Sequence, residues 1–109
     1  MNENDRSQNT VLDDVEELID LEEWAKAGKD AKPAKIYRIR IDKEKKDVIV
    51  SSMTGRQILA LVGKTPETHL LSQKVRGAGV KPVGAEEIVR FDKPGVERFQ
   101  TLALDPTEG

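Results

Sequence analysis

Alternation of apolar and charged residues identifies the first clear element of the chain. Three apolar side chains alternate with Arg38 and Arg40 across residues 36–42. A period of two is typical of a half-buried β-strand. A charged run at residues 43–46 predicts a turn, and the apolar run at residues 47–51 predicts a second strand, so the two strands form a β-hairpin.

A helix with well-defined ends is predicted next. Thr54 and Gln57 have the spacing of a capping box, in which each side chain bonds the backbone N–H of the other residue. Residues 58–62 supply a buried apolar face, Gly63 is a suitable C-terminal stop, and Pro66 prevents continuation.

Short strands follow this helix, separated by glycine and proline turns. They are predicted at residues 69–75, 80–83, 86–91 (extended or briefly helical) and 96–104. The order strand, strand, helix, strand, short strand, strand favours an α+β fold for a domain of this size. The β-grasp topology fits this order best: a mixed sheet with one main helix, spanning residues 36–104, with the last strand in its centre.

The N-terminal region shows apolar residues at helical spacing, with Glu22 as a further member of the stripe. This pattern predicts an acidic amphipathic helix over residues 11–28, ended by Gly28. Residues 1–10 are polar and predicted to be disordered, and residues 29–35 are predicted to be a linker.

The predicted helix needs a partner for its apolar stripe, and the sequence leaves two possibilities open. It packs on its own domain, or it enters a groove of a partner protein with Trp24 and Leu18 as contacts. Residues 1–31 hold ten acidic and three basic residues, a net charge of −7, whereas residues 32–109 carry +5. This difference predicts either docking of the acidic arm on the domain or steering towards a basic enzyme surface.

Composition excludes several classes of function. The chain has no cysteine and a single histidine, His69, so neither a thiol nucleophile nor a metal site is expected. We expect no catalytic residue, and His69 is assigned a structural or surface role. The basic residues alternate with acidic ones without an aromatic platform, so no nucleic-acid partner is expected. No apolar run approaches the length of a membrane span, and we expect a cytoplasmic protein without membrane contact.

Three segments together resemble the bacterial multiubiquitin family. They are Tyr-Arg-Ile-Arg-Ile-Asp at residues 37–42, Thr-Gly-Arg-Gln-Ile-Leu-Ala-Leu-Val-Gly-Lys-Thr-Pro at residues 54–66, and Pro-Gly-Val-Glu-Arg-Phe at residues 94–99. The resemblance spans about residues 35–109. Members of this family are ubiquitin-like β-grasp domains, found singly or in tandem, in operons with conjugation enzymes of eukaryotic type.

The resemblance implies a protein modifier and not an enzyme. Gly109 would be the acyl donor, activated by a partner enzyme that uses ATP, so the chain itself needs no cofactor. The implied partners are activating and conjugating enzymes, a deconjugating peptidase and target proteins. Residues 105–109 would be a flexible tail, and the activating enzyme would contact Leu104, Asp105, Pro106, Thr107 and Glu108. Ubiquitin-like tails usually end in Gly-Gly, whereas Glu108 precedes Gly109 here.

A ubiquitin-like domain is also expected to present an exposed apolar patch to its partners. Leu70 and Leu71 are the candidates, and only one of them can face away from the helix because neighbouring strand residues point to opposite faces. Two other functions stay open. One is an interaction module that is not conjugated, and the other is a sulfur carrier, which shares the fold and an activated C-terminal glycine.

Overall fold

The computed structural model describes residues 15–105 of the chain. The described strands are β1 Glu16–Asp20, β2 Ala34–Ile41, β3 Glu44–Val48, β4 Ser52–Thr54, β5 His69–Val75, β6 Gly79–Val83, β7 Ile88–Arg90 and β8 Val96–Ala103. The described helices are α1 Leu21–Lys26 and α2 Gly55–Ala60. β4 and β7 form a small antiparallel sheet, and the other strands belong to one mixed sheet.

β8 occupies the centre of the mixed sheet. It runs parallel to β2 on one side and antiparallel to β5 on the other, and β6 and β3 pair with the outer edges of β5 and β2. This arrangement confirms the predicted α+β fold of the ubiquitin-like β-grasp type, with the last strand in its centre.

α2 begins as its sequence predicts. The Gln57 backbone N–H donates to Thr54 Oγ1 at 3.2 Å, and the Thr54 N–H donates to Gln57 Oε1 at 2.9 Å, which completes the capping box. Ile58 and Leu59 are buried against the sheet. Gly63 follows with a φ of 74°, a conformation that glycine adopts without steric cost.

The core lies between α2, the small sheet and one face of the large sheet. Alternate residues of β2 point into it, as the period of two predicts. The Phe91 ring lies 5.9 Å from the Tyr37 ring and 6.4 Å from the Phe99 ring, between their centroids. The Tyr37 hydroxyl donates to the Lys32 carbonyl at 2.8 Å and accepts from the Ala34 N–H, so its polar end is satisfied.

The turn between β2 and β3 is shorter than predicted. Residues 44–46 of the predicted turn belong to β3, which ends at Val48, and Asp42 adopts a φ of 55° at the start of the turn. Lysine and glutamate remain solvated on this edge strand, so their charge does not prevent pairing with β2. Ile49 and Val50, predicted in the second strand, leave the sheet and are exposed.

The prediction of a helix over residues 11–28 is wrong for its central part. Glu16–Asp20 form β1, which lies parallel to the first half of β2, and the helix is confined to Leu21–Lys26. Residues 11–14, and the segment 1–10 predicted to be disordered, lie outside the described residues.

The N-terminal strand forms because β2 offers it an unpaired edge. A short apolar run is compatible with either helix or strand, and tertiary pairing decides between them. Ile19 is fully buried in the core, while its neighbours Leu18 and Asp20 lie on the opposite face. Asp20 then caps α1, because its Oδ1 accepts the Glu23 N–H at 3.1 Å, and Gly28 ends the helical turn with a φ of 75°.

β1 and β8 share one edge of β2. Tyr37 pairs with both β1 and β3, so these two strands lie on opposite edges of β2. Ile41 pairs with both β3 and β8, so β8 also lies opposite β3. β1 therefore occupies the first half of the edge, and β8 takes over near its end, with α1 packed against both β2 and β8.

The segment predicted as a linker, residues 29–35, is held against the domain. β2 already begins within it. Arg76, from the turn between β5 and β6, donates to the carbonyl of Lys29 at 3.1 Å and pairs with the carboxylate of Asp30. The described part of the acidic arm is thus docked on its own domain.

Candidate functional site

The root of the C-terminal tail is anchored to the sheet. Ala103, the last residue of β8, lies opposite His69, and the Leu104 N–H still donates to the carbonyl of Thr68 at 2.9 Å. Leu104 is therefore held in place, and Asp105 is the last described residue. The other predicted tail residues, Pro106, Thr107, Glu108 and Gly109, lie outside the described residues.

A cluster of three polar side chains fixes β8 just before this root. Asp42 accepts from the Thr101 N–H at 2.8 Å and from the Thr101 hydroxyl at 2.6 Å. Lys64 donates to both partners, at 3.3 Å to Asp42 Oδ2 and at 2.9 Å to Thr101 Oγ1. The cluster joins the β2–β3 turn and the segment after α2 to the end of β8, so it fixes the strand from which Leu104 and Asp105 continue.

The charge state of Asp42 agrees with this role. Partial burial raises the pKa of its carboxyl, but the hydrogen bonds from Thr101 and the charge of Lys64 outweigh burial and bring the pKa below its ordinary value. Asp42 is therefore ionised at neutral pH and accepts charge-assisted hydrogen bonds, which are the stronger kind.

A shallow groove lies beside the tail root. It is lined by Glu67, Thr68, His69, Ala103, Leu104 and Asp105. His69 Nδ1 lies 2.9 Å from the Thr68 hydroxyl, which in turn lies 3.1 Å from the Thr65 hydroxyl. These bonds fix the imidazole within a local hydrogen-bonded turn. The structural or surface role of His69 stays a prediction.

An exposed apolar pair lies on the outer face of the sheet near the root. Leu70 and Leu102 are directly opposite each other on β5 and β8, and they are 52% and 66% exposed. Leu71 points the other way and is 3% exposed in the core. Of the two leucines proposed as partner contacts, only Leu70 is accessible. Leu102 forms the exposed apolar pair with it.

The two N-terminal residues proposed as partner contacts have different surroundings. Trp24 packs against the buried core, with the Lys29 ammonium 4.6 Å from its ring centroid. Leu18 is half-buried in β1, opposite Ile36 of β2. The Trp24 side chain is thus partly covered by its own domain, whereas Leu18 lies on the outer face of the sheet.

Sequence reasoning missed the polar cluster of Asp42, Lys64 and Thr101. Its members come from three segments that are far apart in the chain, and no local pattern relates them. It also missed Leu102, although alternation within the predicted last strand would have placed Leu102 on the face opposite Phe99.

Two classes of site are not found in the part of the chain that the structure describes. Residues 15–105 contain no group of three or more acidic, histidine or cysteine side chains arranged to hold a metal ion. No helix among them has the length and apolar character needed to cross a membrane.

Comparison with known proteins identifies the domain. The family model described as multiubiquitin matches residues 37–103, which is more than half of the chain and includes β2 to β8. The search of curated proteins and the search of solved structures each found no match. The matched range starts within β2 and ends with the last residue of β8, so it covers the β-grasp but neither β1 nor α1. The chain belongs to the multiubiquitin family.

Proposed function

We propose that the protein is a ubiquitin-like modifier that is activated at the carboxylate of Gly109 and conjugated to target proteins. The observation that carries the proposal is the anchored end of β8. The central strand is held by the core and by Asp42, and its pairing continues to Leu104. A short tail extending from a rigid root suits an enzyme that must bind the domain and the chain end together.

The proposed chemistry takes place in partner enzymes. The Gly109 carboxylate attacks the α-phosphorus of ATP, which releases pyrophosphate and forms an acyl adenylate. A cysteine thiolate of the activating enzyme then attacks the acyl carbon, and AMP leaves. A conjugating enzyme accepts the acyl group and passes it to a nucleophile of the target. ATP is consumed by the partner, so we place this pathway in the cytoplasm.

The tail sets the specificity of the activating enzyme in this proposal. Glycine has no Cβ, so Gly109 fits a narrow channel. Glu108 brings a carboxylate into that channel, and a basic residue of the enzyme is its expected partner. Pro106 fixes φ near the start of the tail and reduces the conformations that binding must exclude.

The surface near the root is the expected contact of that enzyme. Four residues beyond Asp105 reach at most about 14 Å when fully extended. An active site that holds Gly109 must therefore approach the exposed pair Leu70 and Leu102 and the groove beside His69. An apolar patch of this kind is a common site of protein contact.

The test uses the activating enzyme that the family resemblance leads us to expect in the same operon, together with ATP. We expect release of pyrophosphate and a covalent enzyme adduct in intact mass spectra, both lost on deletion of Gly109. Ile88→Ser, an exposed substitution on the small sheet that leaves the tail intact, is the control and should retain both signals. The proposal is contradicted if this enzyme activates another modifier but gives neither pyrophosphate nor a covalent adduct with this chain.

Two other products would favour the other functions. A thiocarboxylate mass at the chain end would identify a sulfur carrier. Binding through Leu70 and Leu102, with no adduct of either kind, would identify an interaction module that is not conjugated.

A further inference from the structure

Four basic side chains form a line across the outer face of the sheet. Lys45 of β3 pairs with Arg40 of β2, and Arg98 of β8 pairs with Lys74 of β5. β2 and β8 pair at Ile41 and Phe99. Arg40 and Arg98 come directly before these two residues on parallel strands, so they are neighbours as well. We call these four residues the basic row. Their side chains are between 32% and 39% exposed.

Most of the acidic residues that neutralise the basic row come from the N-terminal segment. The Glu22 carboxylate is 2% exposed and lies 2.9 Å from Arg40, 3.7 Å from Arg98 and 3.7 Å from Lys45. Without it, like charges would lie side by side on adjacent strands, which is destabilising. Two further contacts to the row come from this segment: Asp20 to Lys45 at 2.7 Å and Glu23 to Lys45 at 4.0 Å.

The row and the acids that cover it belong to different parts of the chain. All four cations lie within residues 37–103, the range that matches the family model, whereas Asp20, Glu22 and Glu23 lie before it. Within the matched range, one acidic residue contacts the row among the described ion pairs: Glu97 lies 3.7 Å from Lys74 and 3.8 Å from Arg98. The basic row is therefore a property of the domain, and its cover is an added segment.

The covering helix has a limited hold on the domain. α1 has six residues, and isolated helices of this length are not stable in water. Its apolar anchors are Leu21, which is buried, and Trp24, which is half-buried. Its charged contacts with the row include the exposed pair of Glu23 and Lys45, whose strength falls as salt rises. Short segments of this kind open more readily than core strands.

We propose that the basic row is a docking surface for an acidic segment of a partner protein, and that α1 occupies this surface until the partner displaces it. The cover itself indicates the chemistry of the partner. It presents carboxylates at alternate positions, Asp20 and Glu22, followed by an aromatic anchor, Trp24. Because the cover is tethered, it competes at a high effective concentration, and the intact protein binds such a segment weakly.

The test uses the full chain and a fluorescein-labelled peptide with the sequence of residues 16–27. Glu22→Gln removes the central carboxylate of the cover. We expect a red shift in the emission of Trp24, the single tryptophan, and at least tenfold tighter peptide binding than in the wild type, lost at high salt. The double variant Glu22→Gln/Arg98→Gln should lose the gain.

Glu17→Gln is the matched control, because Glu17 pairs with Lys35 and has no described contact with the row. It should bind the peptide as weakly as the wild type. If Glu22→Gln does not fold, the double variant Asp20→Asn/Glu23→Gln tests the release of α1 from the basic row with Glu22 in place.

Three results would overturn the proposal. The first is peptide binding by the released variant that is no tighter than that of Glu17→Gln. The second is a gain that persists after Arg98→Gln, because the peptide would then bind elsewhere. The third is a concentration-dependent dimer of the wild type in light scattering, because the surface would then serve exchange of the arm between two copies.

Discussion

The two segments that line one edge of β2 are held by different forces. β8 pairs with β5 along most of its length and buries Phe99 in the core. β1 and α1 bury Ile19 and Leu21 but also depend on ion pairs to the basic row. The same edge thus carries one segment fixed mainly by apolar packing and another fixed partly by charge, so only the second should respond strongly to salt.

The largest effect is expected at Phe99, in the centre of the sheet. Phe99→Ala should lower the free energy of unfolding by about 4 kcal/mol, because it opens a cavity between the aromatic rings and the sheet. Urea unfolding at low and high salt measures the loss. A loss that changes with salt would contradict the view that packing holds β8.

A smaller effect is expected at Glu22. Glu22→Gln should lower the free energy of unfolding by about 2 kcal/mol, because it removes the carboxylate between Arg40 and Arg98 and leaves Arg40 without its described counter-charge. Urea unfolding at low and high salt again measures the loss. It should be smaller at high salt, because salt screens the repulsion between Arg40 and Arg98. Equal losses at both salt concentrations would contradict the role of charge in holding α1.

Acid should affect both segments through two carboxylates. Burial raises the pKa of Glu22, but Arg40, Lys26 and Lys45 outweigh it, so the pKa lies below its ordinary value, as does that of Asp42. Each carboxyl group then binds a proton more readily in the unfolded chain than in the folded protein. The stabilisation by these two carboxylates is therefore fully present above about pH 4.5 and is lost as the pH falls through their lowered pKa values.

Unfolding followed at a series of pH values checks this dependence. Asp42→Asn and Glu22→Gln should each make the stability of the protein less dependent on pH below about pH 4.5, because each removes one linked proton. A wild-type stability that rises as the pH falls would contradict the assignment.

The smallest effect on stability is expected at Leu70. Leu70→Ser should change the free energy of unfolding by less than about 0.5 kcal/mol, because the side chain is already exposed. The same substitution should weaken binding to the activating enzyme, as measured by KM for the modifier. Ile88→Ser, an exposed residue on the small sheet, is the control, and an equal loss in both variants would exclude a specific role for Leu70.

Local signals in the sequence were sufficient for most of the domain. The alternation in β2, the capping box of α2 and the turn glycines each depend on residues close together in the chain, and all are confirmed. The region of residues 16–20 differs because its conformation depends on a distant partner. Leu18 and Ile19 fit a helical stripe equally well, and only the free edge of β2 makes them a strand.

The candidate site was less predictable for the same reason. The choice between Leu70 and Leu71 needed the register of β5 against β8, and the cluster at Asp42 joins segments with no shared pattern. Glu22 could be placed on the apolar stripe from its spacing, but Arg40, Lys45 and Arg98 belong to three strands that meet it only in the fold.

Activation at the chain end is the central claim, and trapping the activated carbonyl tests it most directly. The full chain is incubated with its activating enzyme, ATP and hydroxylamine, and the product is sequenced by tandem mass spectrometry. Our account predicts a hydroxamate at Gly109 that requires both the enzyme and ATP. A free Gly109 carboxylate, with the enzyme active on another modifier in the same mixture, would contradict it.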